Sequence, residues 1–181
     1  MSDTTAPATR IEEITDFHGA DLDDLMAATR EAVVEGQGFG WLRPPPRDKL
    51  ESYWKGVLLV PERSLFVARL NGTIVGTIQL VRPPANNEAG AFCGELSTFF
   101  VVPWARGFGL ARGLLRQIEE AAVEQGLLQL DFHARADRKA AISLCENAGF
   151  KRWGVKQRYA LIDGKFIAGY YYSKELDQEP T

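Results

Sequence analysis

The sequence predicts a single α/β (α+β) domain, and three observations carry that reading. Apolar residues alternate along the chain between strand-like runs and the three-to-four spacing of helices. Asn71-Gly72 and Asp163-Gly164 each sit between β-rich segments and read as hairpin turns. Gly126 and Gly149 close the two later helical stretches. At 181 residues, 45% hydrophobic and 25% charged, the chain can bury a sizeable core and has the balance of a soluble globular protein.

Residues 1–9 are polar, with Ala6 and Pro7 among Ser and Thr, and read as a disordered lead-in rather than a signal peptide. Arg10 to Glu13 reads as a short first strand. Asp21, with Asp24 three residues on, is placed to cap a helix carrying Leu22, Leu25, Met26, Thr29 and Val33 on one side. Gly36 to Trp41 breaks that helix, and Pro44-Pro45-Pro46 opens a second through Leu50, Tyr53, Trp54 and Val57. Leu65 to Leu70 and Thr73 to Val81 are strands on either side of Asn71-Gly72, followed by a loop from Pro83 to Gly90. Glu95 to Val102 is a β-rich run stopped by Pro103.

Leu110, Leu114, Ile118, Ala121 and Ala122 then recur at helical spacing, with Arg112, Arg116, Glu119, Glu120 and Glu124 at the wet positions. After Gly126, Leu127 to His133 begins another strand. Ala141 to Ala148 is a helix, and Tyr159 to Ile162 with Lys165 to Ser173 form the closing hairpin. The domain is therefore expected over 10–176, with a flexible tail at 177–181.

Several function classes are disfavoured by composition. A net charge of −3 with no lysine/arginine run offers no nucleic-acid surface. No apolar stretch approaches the ~20 residues that span a bilayer, so no membrane partner is expected. Cys93 and Cys145 are too few for a disulfide framework and suit a reducing cytoplasm. No His/Cys cluster has metal-ligand spacing, and no metal is expected.

The chemistry concentrates in Val102-Pro103-Trp104-Ala105-Arg106-Gly107-Phe108-Gly109-Leu110-Ala111, where a strand passes into a helix. Amides at a helix start lack intrahelical partners and favour an anion, glycines let the backbone approach it, and an arginine adds a charged fork. A P-loop would need Gly-Lys-Ser/Thr here, where Leu110-Ala111-Arg112 stands. A dinucleotide fingerprint would need a small residue at 112, where Arg112 stands. The segment resembles instead the Arg/Gln-x-x-Gly-x-Gly/Ala signature of the GNAT superfamily of N-acetyltransferases, through Arg106, Gly109 and Ala111. Ala141-Ile142-Ser143-Leu144-Cys145-Glu146-Asn147-Ala148-Gly149-Phe150 is similar to the second GNAT pattern, Ala-Ile-x-Leu-Tyr-Glu-x-x-Gly-Phe, except at Cys145. The likeness is firm from about Leu65 to Phe150.

The resemblance implies a mixed, twisted sheet of about seven strands with helices on both faces, and acetyl-CoA as co-substrate. It implies that main chain at Phe99, Phe100 and Val101 pairs with pantetheine while those side chains pack, and that Arg106, Gly107, Phe108, Gly109, Leu110 and Ala111 hold the pyrophosphate. Glu95 is the leading general base, a carboxylate interrupting an apolar strand, against a solvated reading; Asp131 and His133 are rivals. Cys145 stands where relatives carry a tyrosine that protonates the leaving thiolate, and is either that acid or a small packed residue, in which case Tyr159 is an alternative donor. Arg138 stands for a common asparagine and either reaches the CoA or faces solvent beside Asp137.

Glu35, Phe39, Trp41 and Tyr159 are the expected acceptor contacts, and the Glu-Gly…Gly-Phe…Pro…Tyr-Trp arrangement is faintly like the tabtoxin-resistance type. This implies an acetyl transfer to a primary amine of a small metabolite, amino-acid-like compound or antibiotic by direct attack, in a monomer or homodimer. The alternatives are N-terminal acetylation of proteins or peptides, and a non-catalytic acetyl-CoA-binding module.

Overall fold

The computed structural model describes residues 6–177; the parts of the expected lead-in and tail at 1–5 and 178–181 lie outside them. The elements run β1 (Thr9–Ile14), α1 (Asp21–Val34), α2 (Arg47–Leu59), β2 (Arg63–Leu70), β3 (Thr73–Val81), β4 (Cys93–Val101), α3 (Leu110–Glu124), β5 (Gln129–Arg135), α4 (Lys139–Asn147), β6 (Lys151–Ile162) and β7 (Lys165–Glu175). Short 3-10 turns at Glu88–Gly90 and Pro103–Ala105 interrupt the loops. The seven strands form one sheet in the order β1-β2-β3-β4-β5-β7-β6, a mixed α/β arrangement of the kind the sequence implies. The described chain falls into two compact units, one running up to Gln79 together with Thr98–Gln117 and one formed by Leu80–Ser97 and the chain from Ile118 onward.

In the first unit, β1 runs antiparallel to β2 from Thr9↔Leu70 to Ile14↔Leu65. Thr9 therefore belongs to the strand and not to the lead-in, and Ala8 exchanges bonds with Asn71 at the β2–β3 turn. Asn71 (φ 50°) and Gly72 (φ 88°) both take the left-handed conformation that a tight two-residue hairpin requires. Leu25, Leu50, Trp54, Leu65, Val67 and Ile74 close the core. Trp54 is fully buried, so its indole N–H needs a partner, which it finds in Thr29 Oγ1 at 3.0 Å.

The expected cap on α1 forms differently. The capping position is Ala20, and Asp21 is the first helical residue. Its carboxylate accepts from the His18 amide at 3.1 Å and from Arg69 at 2.7 Å, while Asp24 accepts from the Ile74 amide at 3.1 Å. A largely buried guanidinium from β2 competes for the carboxylate more strongly than the helix amides do.

In the second unit, β5 pairs antiparallel with β7 from Gln129↔Glu175 to Arg135↔Gly169, and β6 pairs with β7 on the outside. Leu130, Phe132, Cys145, Phe150 and Tyr172 are buried. Helices α3 and α4 end alike. Gly126 and Gly149 turn left-handed, and the next amides, Leu127 and Phe150, bond back to Ala122 and Cys145. β6 starts at Lys151, eight residues before the sequence pattern shows a strand. An edge strand exposed over most of its length needs no apolar alternation, so Lys151 to Arg158 carries no strand signal.

Candidate active site

At the start of α3, Gly107 (φ 88°) and Gly109 (φ 76°) hold left-handed backbone that bring the chain from the Pro103–Ala105 turn into the helix. Nothing lies within 4 Å of where a Cβ would stand on either glycine, so the backbone is open to an approaching group. Gly113 is bonded to Gly109 O at 2.9 Å, and the amides of the first turn before it project from the helix end. Leu110 and Ala105 are buried and anchor the loop; Phe108 is exposed. The donor set fits an anion with several oxygens. Arg106 is already engaged, donating to Glu35 Oε2 at 2.5 Å, and Trp104 Nε1 donates to Glu31 at 3.3 Å.

β4 approaches this loop with its main chain oriented. The Val102 amide donates to Val75 O, and the Phe100 carbonyl abuts Gly76, so both groups face β3. Alternation in a strand then turns the N–H and C=O of Phe99 and Val101 the other way. The phenyl ring of Phe100 is buried and lies 5.6 Å from the ring of Phe39. Thr98 takes φ 53°, a left-handed conformation unusual for a β-branched residue, and its carbonyl accepts from Thr77 Oγ1 at 2.8 Å. The parallel β4–β5 ladder covers only three positions and stops at Glu95↔Asp131.

Where that ladder stops, side chains from β4, β5 and β6 meet. Glu95 Oε1 is 2.9 Å from His133 Nε2, and His133 Nδ1 is 2.5 Å from Tyr159 Oη. The side chains of Glu95 and His133 are 51% and 39% exposed, so the chain is reachable from solvent. Burial, with Tyr171 and Glu95 nearby, raises the Tyr159 hydroxyl above its ordinary value and keeps it protonated. With Tyr159 donating, Nδ1 is the acceptor, and Nε2 carries the ring proton that Glu95 accepts. Asp131 is committed elsewhere, accepting from Ser173 Oγ at 2.6 Å and Gln129 Nε2 at 2.8 Å.

Cys145 and Arg138 each carry two readings from sequence. Cys145 is 0% exposed on the inner face of α4, and burial, with Glu119 and Glu146 adding to it, pushes its thiol up to about 12. Burial of this kind is what the packing alternative expects of a small residue on a helix. Arg138 does not face solvent: its side chain is mostly buried against Asp137, 3.4 Å away, which Arg135 also engages at 3.0 Å.

The expected acceptor segment is partly packed. Phe39 stacks on Trp41 at 5.0 Å, and both meet Tyr53 edge-on, beside the first unit's core. Glu35 is tied to Arg106 and Gln37. Of the four, Tyr159 is the one joined to the Glu95–His133 pair.

Sequence reasoning missed Gly169 and Trp153, and left Tyr171 within a run, Tyr170-Tyr171-Tyr172, open among core, pocket wall and dimer seam. A Cβ on Gly169 would lie 2.1 Å from the Tyr159 ring, so only a glycine leaves room for that ring on β7. Tyr171 lies 5.4 Å from the His133 ring and 5.4 Å from Trp153. The tyrosine run on β7 was visible; which of its members turns to the site depends on register.

Comparison with known proteins bears on the fold and the family. A model of the "Acetyltransferase (GNAT) family" matches residues 24–150. The chain is 48% identical over 145 residues to the "Uncharacterized N-acetyltransferase in hisH-hisA intergenic region" of Azospirillum brasilense, covering 80% of this chain and 83% of that one. It is 33% identical over 141 residues to the N-alpha-acetyltransferase RimI of Mycobacterium tuberculosis, covering 76% and 80%. Among solved structures, a GNAT superfamily phosphinothricin acetyltransferase from Sinorhizobium meliloti, in complex with acetyl-CoA, superposes with a TM-score of 0.77 at 20% identity, covering 98% and 94%.

Proposed function

The chain belongs to the acetyltransferase (GNAT) family and is an acetyl-CoA-dependent N-acyltransferase, and from that premise we propose that it acetylates a primary amine of a small molecule by direct attack. The observation that carries the acceptor side is the Glu95–His133–Tyr159 chain at the end of the β4–β5 ladder. On the donor side, Phe99 and Val101 offer main-chain groups to the pantetheine amides, in the manner of an added strand. The first-turn amides of α3, Gly107, Gly109 and Arg106 receive the pyrophosphate. Acetyl-CoA supplies the activated thioester.

An amine arrives as an ammonium ion and must lose a proton before it can attack. Glu95, half exposed and oriented by His133 Nε2–H, accepts that proton and passes it to water. Attack forms the C–N bond, the C–S bond breaks, and the nitrogen's second proton leaves to the same carboxylate. Tyr159, which stays protonated, is the donor for the leaving thiolate and recovers its proton from solvent. This assignment takes over the acid role from Cys145, which is buried on α4.

The test is a free-thiol release assay across an amine panel. Glu95→Gln and Tyr159→Phe each lower kcat by on the order of 10²-fold, and Cys145→Ala stays within about twofold. Acetyl-CoA binding with no thiol release for any amine or peptide would sink the transferase assignment. A second reading, acetylation of peptide N-termini, is favoured by the likeness to the RimI enzyme. Peptides with a free N-terminus therefore belong in the panel, and a preference for them over every small amine decides for that reading.

A further inference from the structure

The face that carries His133 continues outward as a row of aromatic rings. Tyr171 lies 5.4 Å from the His133 ring, Trp153 lies 5.4 Å from Tyr171, and Tyr159 lies 6.2 Å from Tyr171. Trp153 is 64% exposed, an unusual cost for the largest apolar side chain, and among the described residues its aromatic neighbour is Tyr171. Tyr172, the next residue on β7, points the other way into the core beside Phe132.

Two irregularities in β6 build this row. Arg152 pairs with Tyr172 and Gly154 with Tyr171, so Trp153 is an extra residue in the strand. Lys156 pairs with Gly169 and Ala160 with Ile167, so Gln157, Arg158 and Tyr159 oppose Ala168 alone. Bulges release residues from strict alternation and re-aim their side chains. Here both bulged segments send an aromatic ring to Tyr171, and Gly169 leaves the gap that one of those rings fills. Simple edge protection would favour charge and would not seat two rings against Tyr171.

We propose that Trp153 and Tyr171 form a stacking shelf for the flat apolar body of the acceptor, whose ammonium group reaches Glu95. The acceptor class is then a primary amine carrying an aromatic ring on a short arm. The exposed rings supply contact area and ring geometry, while the carboxylate selects the charged nitrogen. This inference rests on the acetyltransferase reading for its reaction but not for its binding surface.

The experiment compares 2-phenylethylamine with n-butylamine, in turnover with acetyl-CoA and in direct binding by saturation-transfer NMR. The expected result is a kcat/KM about three- to tenfold higher for 2-phenylethylamine, lost in Trp153→Ala through KM with kcat unchanged. In that variant the ratio of kcat/KM for 2-phenylethylamine over n-butylamine falls toward one. Thermal unfolding checks its fold, and Tyr171→Leu is a second variant expected to remove the preference. No preference in the natural protein, or one that survives both variants, overturns the shelf. If neither amine is acetylated, the transferase reading of these acceptors fails, and the NMR arm still decides: 2-phenylethylamine binding lost in Trp153→Ala supports the shelf, and unchanged or absent binding refutes it.

Discussion

Substituting Gly169 with alanine tests how Tyr159 is held. The added Cβ would lie 2.1 Å from Cδ2, 2.2 Å from Cγ and 2.7 Å from Cβ of Tyr159. These atoms form the root of the ring, so no rotation of a flexible end relieves the overlap, and the side chain must retreat by over an ångström. The Tyr159 bond to His133, 2.5 Å long, is then lost. Overpacking of this kind costs about 1–3 kcal/mol, which for a chain of this size lowers Tm by about 2–12 °C. Turnover with the best amine of the panel should fall on the order of 10²-fold, as for loss of one acid–base group. Because both changes remove the same contact, Gly169→Ala combined with Tyr159→Phe should be no slower than either alone. Thiol-release kinetics and thermal unfolding read both quantities. Full kcat in Gly169→Ala, alongside a slow Tyr159→Phe, would refute Gly169 as the seat of the tyrosine.

Glu35→Gln should tighten acetyl-CoA binding about two- to fivefold, because the phosphate no longer has to displace a carboxylate from Arg106. Titration calorimetry measures this, and unchanged or weaker affinity would show that Glu35 does not compete for the arginine. Asp21→Asn should lower the free energy of unfolding at pH 7 by about 1–3 kcal/mol. The Asp21 carboxyl is held below its ordinary value chiefly by the Arg69 hydrogen bond. Its contribution is therefore complete above the unfolded value of about 3.9 and is lost as pH falls through the folded one. Urea titrations should show the gap between variant and natural protein narrowing at pH 3, and a constant gap would exclude the ion pair as its cause.

Local signals were legible because their causes are local. Asn71-Gly72 demands a tight hairpin wherever it falls between strands, and the left-handed Gly126 and Gly149 end helices with bonds made a few residues away. Glu95 stood out as a carboxylate in an apolar strand. Its partner was harder to see: His133 is 38 residues away, and the two meet because β4 and β5 pair in parallel at Glu95↔Asp131. Cys145 fell on the inner side of a short helix, where the motif alone could not separate a reactive position from a packed one.

The sequence by itself determined the order of elements, the hairpin turns, and the glycine-rich loop whose resemblance pointed to the family. These follow from backbone conformation and short-range periodicity, which a linear pattern records. Tertiary structure decided that Arg106 meets Glu35, that Cys145 is buried, that Tyr159 turns toward His133 and that Trp153 turns toward Tyr171. The placement of Tyr159 and Trp153 depends on strand register and on two bulges in an edge strand. A shift of one residue in either would send the same side chains to the opposite face.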